Sequence, residues 1–181
     1  MTPSGIEAYQ LGRAYTVMPI PMVPEHCVEI SAGPVTFVVE ARALSDDAII
    51  ENEKSRGVSD GVDHDKGVDD YGASLHVCDA DGRLGKEFLR FDAFDNEPHY
   101  HYIFNESQSN VVVRFDNVAE GDPLEWTLRV VGSRLAEMLE YAEGADVAAA
   151  VRANPRAVSA GLERLDEVLR DAHAKAYALR G

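Results

Sequence analysis

The sequence is short of cysteine and has no long apolar run. Cys27 and Cys78 are the only cysteines among 181 residues, and their separation fits neither a C-x-x-C metal cluster nor a disulfide scaffold. No window approaches the roughly 18 apolar residues that span a membrane, and the N-terminus lacks the basic and apolar segments of a secretory signal. These absences predict a soluble, cytoplasmic protein whose thiols are reduced.

Basic residues are also scarce. The chain has 17 Lys and Arg against 32 Asp and Glu, and its formal net charge is -15 at pH 7. Because contact with phosphates requires clustered Lys and Arg, this balance argues against binding to nucleic acid or to an anionic membrane. A basic protein is the macromolecular partner that such a charge favours.

The glycines do not form a nucleotide-binding motif. Four of the 14 glycines lie in residues 57–72, GVSDGVDHDKGVDDYG, without the strand-loop-helix setting that phosphate-binding loops require. The segment has no apolar period and predicts an acidic loop, either a lid, a partner-binding surface or a disordered stretch. Asp63 and Asp65 alternate as in a calcium loop, but the turn glycine and closing Glu are out of register.

The order of the patterns predicts a single domain over residues 1–181, with a strand-rich part (1–120) followed by a helical part (121–181). Alternating β-branched and aromatic residues predict strands at about 26–32, 34–41, 73–79, 87–94, 98–104 and 109–115. Ser45 and Gly57 bracket a short predicted helix. Because the last four strands are joined by short connections, they are expected to pair as an antiparallel meander. The predicted fold class is therefore α+β, with about six strands in a sheet that is curved or barrel-like.

Two C-terminal helices have clear signals. Asp122 and Pro123 predict a capped start for a helix over 123–143, and Asn154-Pro155 restarts a helix after a short one near 146–152. Both long helices carry apolar residues at spacings of three and four. They are therefore amphipathic and are expected to pack on an apolar face of the sheet.

Strand alternation assigns side chains to the two faces of the sheet. The apolar face is predicted to contain Leu75, Val77, Leu89, Phe91, Tyr100, Tyr102, Val111, Val113 and Phe115. The opposite, polar face is predicted to contain His76, Arg90, Asp92, His99, His101 and Arg114, interleaved with Phe88, Phe94, Ile103 and Val112. Polar groups of several kinds among aromatics are typical of a pocket wall, and the first two strands could fold over this face and close it.

The H-x-H pair of His99 and His101 is the strongest metal signal. Two imidazoles on one side of a strand, about 7 Å apart along the chain, can reach a single ion. With a carboxylate, Asp92 or Glu106, they would form the set used for Fe(II), and His76 is an alternative third ligand for Zn. The alternative is that both histidines are hydrogen-bonded pocket or surface residues without a metal.

At three positions the pattern resembles the first metal motif of cupins, in which an H-x-H and a following Glu lie on adjacent strands of a β-barrel. The matching residues are His99, His101 and Glu106. Ala93 and Val113 stand where the bracketing glycines of that motif would be, and no second motif follows. The resemblance implies a metal held by His99, His101 and Glu106.

These residues support two hypotheses about function. The first is a small metal-dependent enzyme with a small carboxylated substrate, in which His76 and Asp92 are catalytic and a divalent Fe or Zn is the cofactor. Its ligand-binding residues would be Arg90, Arg114, Tyr100 and Tyr102. The second is a non-catalytic protein whose acidic surface docks a basic partner. A homodimer is compatible with either hypothesis, through aromatic residues or the edge of the last strand.

Overall fold

The structure is a computed structural model that describes residues 11–57, 67 and 69–180. Within these residues the strands are β1 (Arg13–Tyr15), β2 (Cys27–Ser31), β3 (Val35–Ser45), β4 (Asp69–Asp79), β5 (Glu87–Phe94), β6 (His99–Phe104) and β7 (Ser109–Arg114). The helices are α1 (Asp46–Arg56), α2 (Asn117–Glu120), α3 (Pro123–Tyr141), α4 (Ala145–Ala153) and α5 (Pro155–Ala176). The α+β prediction is confirmed.

The described strands form one seven-stranded sheet in the order β1-β7-β6-β5-β4-β3-β2. All neighbours are antiparallel, and β2 to β7 follow one another as a meander. The edge strands β1 and β2 lie at opposite ends of the sheet, so the sheet is open. The barrel-like alternative is therefore wrong, and so is the prediction that the first two strands fold over the polar face, because they extend the sheet beyond β4.

Several local predictions are confirmed by hydrogen bonds at helix ends. The Ser45 side chain accepts a bond from the Ala48 amide, and α1 is followed by Gly57 with a φ of 63°, in the left-handed region that glycine enters without strain. The Asp122 side chain accepts a bond from the Glu125 amide at the start of α3. None of the helices in the described part of the chain has the length and apolar character needed to cross a membrane.

Strand β4 is longer than its sequence suggests. It begins at Asp69, so the end of the predicted acidic loop is paired strand, with Asp70 opposite Leu44 on β3. Residues 58–66 and 68 lie outside the described residues, and the calcium-loop alternative at Asp63 and Asp65 lies there too. The short strand β1 was not predicted, because three residues carry no detectable alternation.

The helices cover the apolar face as predicted. Leu75, Val77, Leu89 and Phe91 form one buried cluster with residues of α3 and α5 such as Leu139 and Leu165, all of them at most 1% exposed. The face is continuous because β3, β4 and β5 each present alternate apolar residues on the same side.

Strand β5 contains a bulge that makes the predicted face of Phe88 wrong. Val77 pairs with Leu89 but Cys78 pairs with Glu87, so Phe88 is the extra residue. Phe88 therefore joins the core cluster under the helices, although alternation predicted it on the polar face. The same bulge turns Glu87 to the polar side, because an inserted residue reverses the alternation of everything beyond it.

Helix α5 approaches the turn between β2 and β3 closely enough to require glycine. A Cβ on Gly161 would lie 2.5 Å from the Ala32 Cβ. We expect Gly161→Val to lower the free energy of unfolding by about 1–3 kcal/mol, because the added methyl groups force the helix off the sheet.

The matched control is Gly132→Val in α3, where an added Cβ meets nothing within 4 Å and the expected change is within about 0.5 kcal/mol. Urea unfolding of both variants measures the difference. Equal midpoints would contradict the close packing at Gly161.

Candidate metal centre

Apart from Phe88, the polar face is assembled as strand alternation predicted. Arg90 is the register partner of His101, and Asp92 is the partner of His99. On the next strand, Arg114 is the partner of His99. Because the β5–β6 connection preserves parity, these side chains share one face.

Asp92, His99 and His101 form a compact group of metal-ligand type. One ligand atom from each lies within 4.8 Å of the other two. The Asp92 Oδ2 is 3.2 Å from Nε2 of His99 and 3.1 Å from Nε2 of His101. The other carboxylate oxygen, Oδ1, accepts a bond from the Ser74 hydroxyl. A single carboxylate oxygen therefore faces two imidazole nitrogens.

The other ring nitrogen of each histidine is fixed as a donor. His99 Nδ1 lies 2.7 Å from the Glu97 carbonyl oxygen, which can only accept. His101 Nδ1 lies 3.0 Å from Asn110 Oδ1. Asn110 is oriented by its Nδ2, which donates to the Val17 carbonyl at 2.7 Å. In the neutral form of each ring, Nε2 therefore carries a lone pair that points at Asp92.

The three side chains of this group shift one another's pKa values. Burial opposes ionisation of Asp92, but the hydrogen bonds that His101 and His99 donate from Nε2 when they are protonated outweigh it and lower the pKa of the carboxyl well below 3.8. Burial opposes protonation of His99, yet contact with Asp92 raises its pKa. The pKa of His101 is lowered, since burial and the charge of His99 outweigh the effect of Asp92. Protonation of His99 is therefore favoured, and its charge disfavours protonation of His101.

The turn before β6 is held by a buried carboxylate. Asp70 Oδ1 accepts from the Asn96 amide at 3.0 Å, and Oδ2 accepts from the Glu97 amide at 2.8 Å. Glu97 is the residue whose carbonyl receives the Nδ1–H of His99. Asp70 is therefore part of the support of His99, and its carboxylate is not available to an acidic docking surface.

A second buried group of charges lies beside the cluster. His76 is fully buried, with Nε2 3.1 Å from Glu40 Oε2 and Nδ1 2.7 Å from Glu87 Oε1. Arg90 donates Nε and Nη2 to the two oxygens of Glu87 at 2.8 and 2.9 Å, and Arg42 donates to Glu40 at 2.8 Å. Each buried charge has a partner, which is the condition for its being tolerated.

Residues 17–23, which we call the strap, cross this face. The Ile20 carbonyl accepts from Arg90 at 2.8 Å and from Arg42 at 3.2 Å. The Val23 amide donates to Glu40 Oε1 at 2.9 Å. Pro19 and Pro21 lack an N–H, so the strap cannot pair as a regular strand and presents carbonyls to the arginines instead.

The predicted site residues are distributed over several environments. Asp92, His99 and His101 come together, whereas Glu106 is exposed in the connection between β6 and β7 and is not in the group. Arg90 is saturated by Glu87 and the strap. Arg114 is exposed and pairs with Glu97 at 3.3 Å.

The two tyrosines lie on the other face of the sheet. Tyr100 packs against Phe91 and Trp126, and Tyr102 packs against Tyr141. They are separated by the sheet from the histidines of the same strand, as alternation requires.

His76 and Cys78 share a face, but neither is placed for nucleophilic catalysis. Burial, together with the charge of Glu87, raises the pKa of the Cys78 thiol far above neutrality. Both ring nitrogens of His76 are engaged by carboxylates. Burial raises the pKa of Cys27 to about 12 in the same way.

Comparison with known proteins identifies a family. The family described as "Domain of unknown function (DUF7700)" matches residues 29–175. The chain belongs to this family. The DUF7700 segment contains Asp92, His99, His101 and Asn110, and it begins after the strap. No curated protein and no solved structure matches the chain.

Sequence reasoning did not select several residues that support the site. Ser74 and Asn110 fall on the polar face by the same alternation, but nothing in the sequence shows that their side chains are buried and hydrogen-bonded there. Glu87 was not placed on either face, and alternation alone would put it on the apolar side because the bulge is not visible in the sequence. Asp70 gave no signal, since it lay in a run of acidic residues.

Proposed function

We propose that Asp92, His99 and His101 of this DUF7700 protein bind one divalent transition-metal ion, and that the protein is a metal-dependent enzyme for a small carboxylated substrate. The observation that carries the proposal is the fixed Nδ1–H of both histidines, which directs two Nε2 lone pairs at one carboxylate oxygen. Metal-binding histidines characteristically donate their other N–H to a carbonyl or carboxylate in this way.

The spacing of the ligand atoms supports the proposal. Ligands that are each about 2.1 Å from one ion lie roughly 3.0–3.4 Å apart in octahedral or tetrahedral geometry. The two Nε2–Oδ2 distances, 3.2 and 3.1 Å, fall in that interval. In the neutral rings, lone pairs of the two Nε2 atoms face a lone pair of Asp92 Oδ2. A cation bound between these three atoms would form a coordinate bond to each of them.

The environment of His99 supports access by a substrate. Its side chain is 21% exposed, whereas those of His101 and Asp92 are 10% and 5% exposed. Three protein ligands leave coordination positions for water and substrate oxygens. Arg114, the register partner of His99, is 83% exposed and could pair with a substrate carboxylate on that side.

Metal analysis of the protein purified without a histidine tag tests the proposal. We expect about one equivalent of Fe, Zn or a related ion per chain by elemental mass spectrometry, either as purified or after loading. We expect the His99→Ala/His101→Ala variant to fall to background, because the two nitrogen ligands are removed.

The matched control is His26→Ala/His173→Ala, which removes two histidines outside the group and should retain the metal. Circular dichroism checks that both variants are folded. A wild type that cannot be loaded, or equal metal content in both double variants, would rule out this site.

Docking of a basic protein remains the second proposal, and the net charge of -15 supports it. Asp60, Asp63 and Asp65, which would contribute to that surface, lie outside the described residues. No contact in the described part of the chain favours this role over the metal site.

A further inference from the structure

We propose that Asn110 is a positioning residue that fixes His101 for metal binding and couples occupancy of the site to the docking of the strap. This inference rests on the proposed metal site and adds a regulatory element to it. The observation that carries it is that the Asn110 side-chain amide makes two hydrogen bonds: it accepts one from His101 and donates one to the strap.

Asn110 lies on β7 and is buried, at 3% exposure. Its Oδ1 is 3.0 Å from His101 Nδ1, and its Nδ2 is 2.7 Å from the Val17 carbonyl oxygen. The Val17 carbonyl can only accept, so the amide cannot flip without losing both bonds. Asn110 therefore holds one tautomer of His101, the one with a free Nε2.

The hydrogen bonds along this path strengthen one another. A cation at Nε2 withdraws electron density from the imidazole and makes Nδ1–H a better donor to Asn110. The polarised amide is in turn a better donor to Val17, because hydrogen bonds in series are cooperative in a low-dielectric interior. Binding at the metal site is thus expected to hold the strap more tightly, and a docked strap is expected to raise metal affinity to the same extent.

The strap has other attachments that do not touch His101. Arg56 of α1 donates to the Met18 carbonyl at 3.0 Å and to the Pro19 carbonyl at 3.3 Å. The Val23 amide donates to Glu40. Substitutions at these contacts can loosen the strap without altering the Asn110–His101 bond. They therefore distinguish a strap that is merely less well attached from one that no longer responds to the metal site.

The experiment uses Co²⁺ as the probe, in the full chain. Visible absorption of Co²⁺ reports binding and ligand geometry, and hydrogen exchange of the peptide that contains residues 17–23 reports strap docking. In the wild type we expect Co²⁺ to bind and to slow exchange in the strap.

Two substitutions at Asn110 separate its two bonds. Asn110→Asp keeps an acceptor for His101 but removes the donor to Val17, so the effect of Co²⁺ on strap exchange should be lost, and affinity for Co²⁺ should fall only by the share that the docked strap contributes. Asn110→Ala removes both, and we expect affinity to fall about 10–100-fold, as for other residues that orient metal ligands. Arg56→Met is the control: its strap should exchange faster than that of the wild type, but Co²⁺ should still slow it.

The outcomes are distinguishable. If wild-type protein binds Co²⁺ with no change in strap exchange, or if Asn110→Ala binds it as tightly as the wild type, this inference is wrong and the metal site stands. If wild-type protein does not bind Co²⁺ at all, the proposed function fails and this inference fails with it. Circular dichroism of Asn110→Ala checks that weak binding in this variant does not result from misfolding.

Discussion

Replacing Arg90 by Met is expected to lower the free energy of unfolding by about 3–5 kcal/mol. Arg90 is 3% exposed and forms two parallel bonds to Glu87, at 2.8 and 2.9 Å, and one to the Ile20 carbonyl, at 2.8 Å. Methionine fills much of the same volume but leaves the Glu87 carboxylate buried with His76 as its remaining partner. The cost is therefore mainly that of an uncompensated buried charge.

Arg114→Met is the matched control, since Arg114 forms an exposed pair with Glu97 on the same face. Exposed pairs contribute about 0–1 kcal/mol, so this variant should unfold close to the wild type in urea. If Arg90→Met does not fold, the Glu87→Gln/Arg90→Met variant is expected to recover much of the loss, because it removes the stranded charge. Equal urea midpoints for Arg90→Met and Arg114→Met would contradict the stabilising role proposed for the buried Arg90–Glu87 pair.

The ion pair between Arg90 and Glu87 also makes the stability of the protein depend on pH in the acidic range. Burial opposes ionisation of Glu87, but the charges of Arg90 and His76 lower its pKa well below the ordinary 4.5. The stabilisation is thus fully present above about pH 4.5 and is lost as the pH falls further, through the lowered pKa. Glu87→Gln should show a shallower loss of stability below pH 4.5 than the wild type does.

Addition of metal is expected to raise the melting temperature of the wild type by roughly 5–10 °C at a free concentration 100 times Kd. Binding to the folded state alone contributes about 2.7 kcal/mol under that condition, and each kcal/mol shifts the melting temperature of a chain of this length by about 2–4 °C. Asp92→Asn should abolish the shift, because Asp92 Oδ2 is the atom on which both histidines converge.

Asp95→Asn is the matched control for this measurement. Asp95 lies just after β5 and also contacts a histidine, His173, at 3.3 Å, but it is outside the candidate metal group. Its thermal shift with Zn²⁺ should equal that of the wild type. If Asp92→Asn and Asp95→Asn both kept the full rise in melting temperature on addition of Zn²⁺, a metal site at Asp92 would be excluded.

The sequence determined most of the secondary structure because the relevant signals are local. The capping residues Ser45 and Asp122 lie within three residues of the amides that they accept from. Strand alternation likewise acts over two residues at a time. It placed Asp92, His99 and His101 on one face, because the β5–β6 connection preserves parity.

The predictions that were wrong depended on contacts between distant segments. The sheet is open because β1 pairs with β7 and β2 lies at the other edge, which no local pattern specifies. The bulge at Phe88 exchanged the faces of Phe88 and Glu87. One inserted residue has this effect because the side-chain period of a strand is two.

Local patterns in the sequence thus specify the α+β class, the amphipathic helices and the shared face of the two histidines with Asp92. Contacts made on folding are needed for Asn110 and the Glu97 carbonyl to fix both Nδ1 atoms as donors, and for the strap to cover the neighbouring charges. These contacts are not local because the direction of a hydrogen bond depends on where a partner from another segment lies. Tertiary folding brings Val17 within bonding distance of a residue 93 positions away.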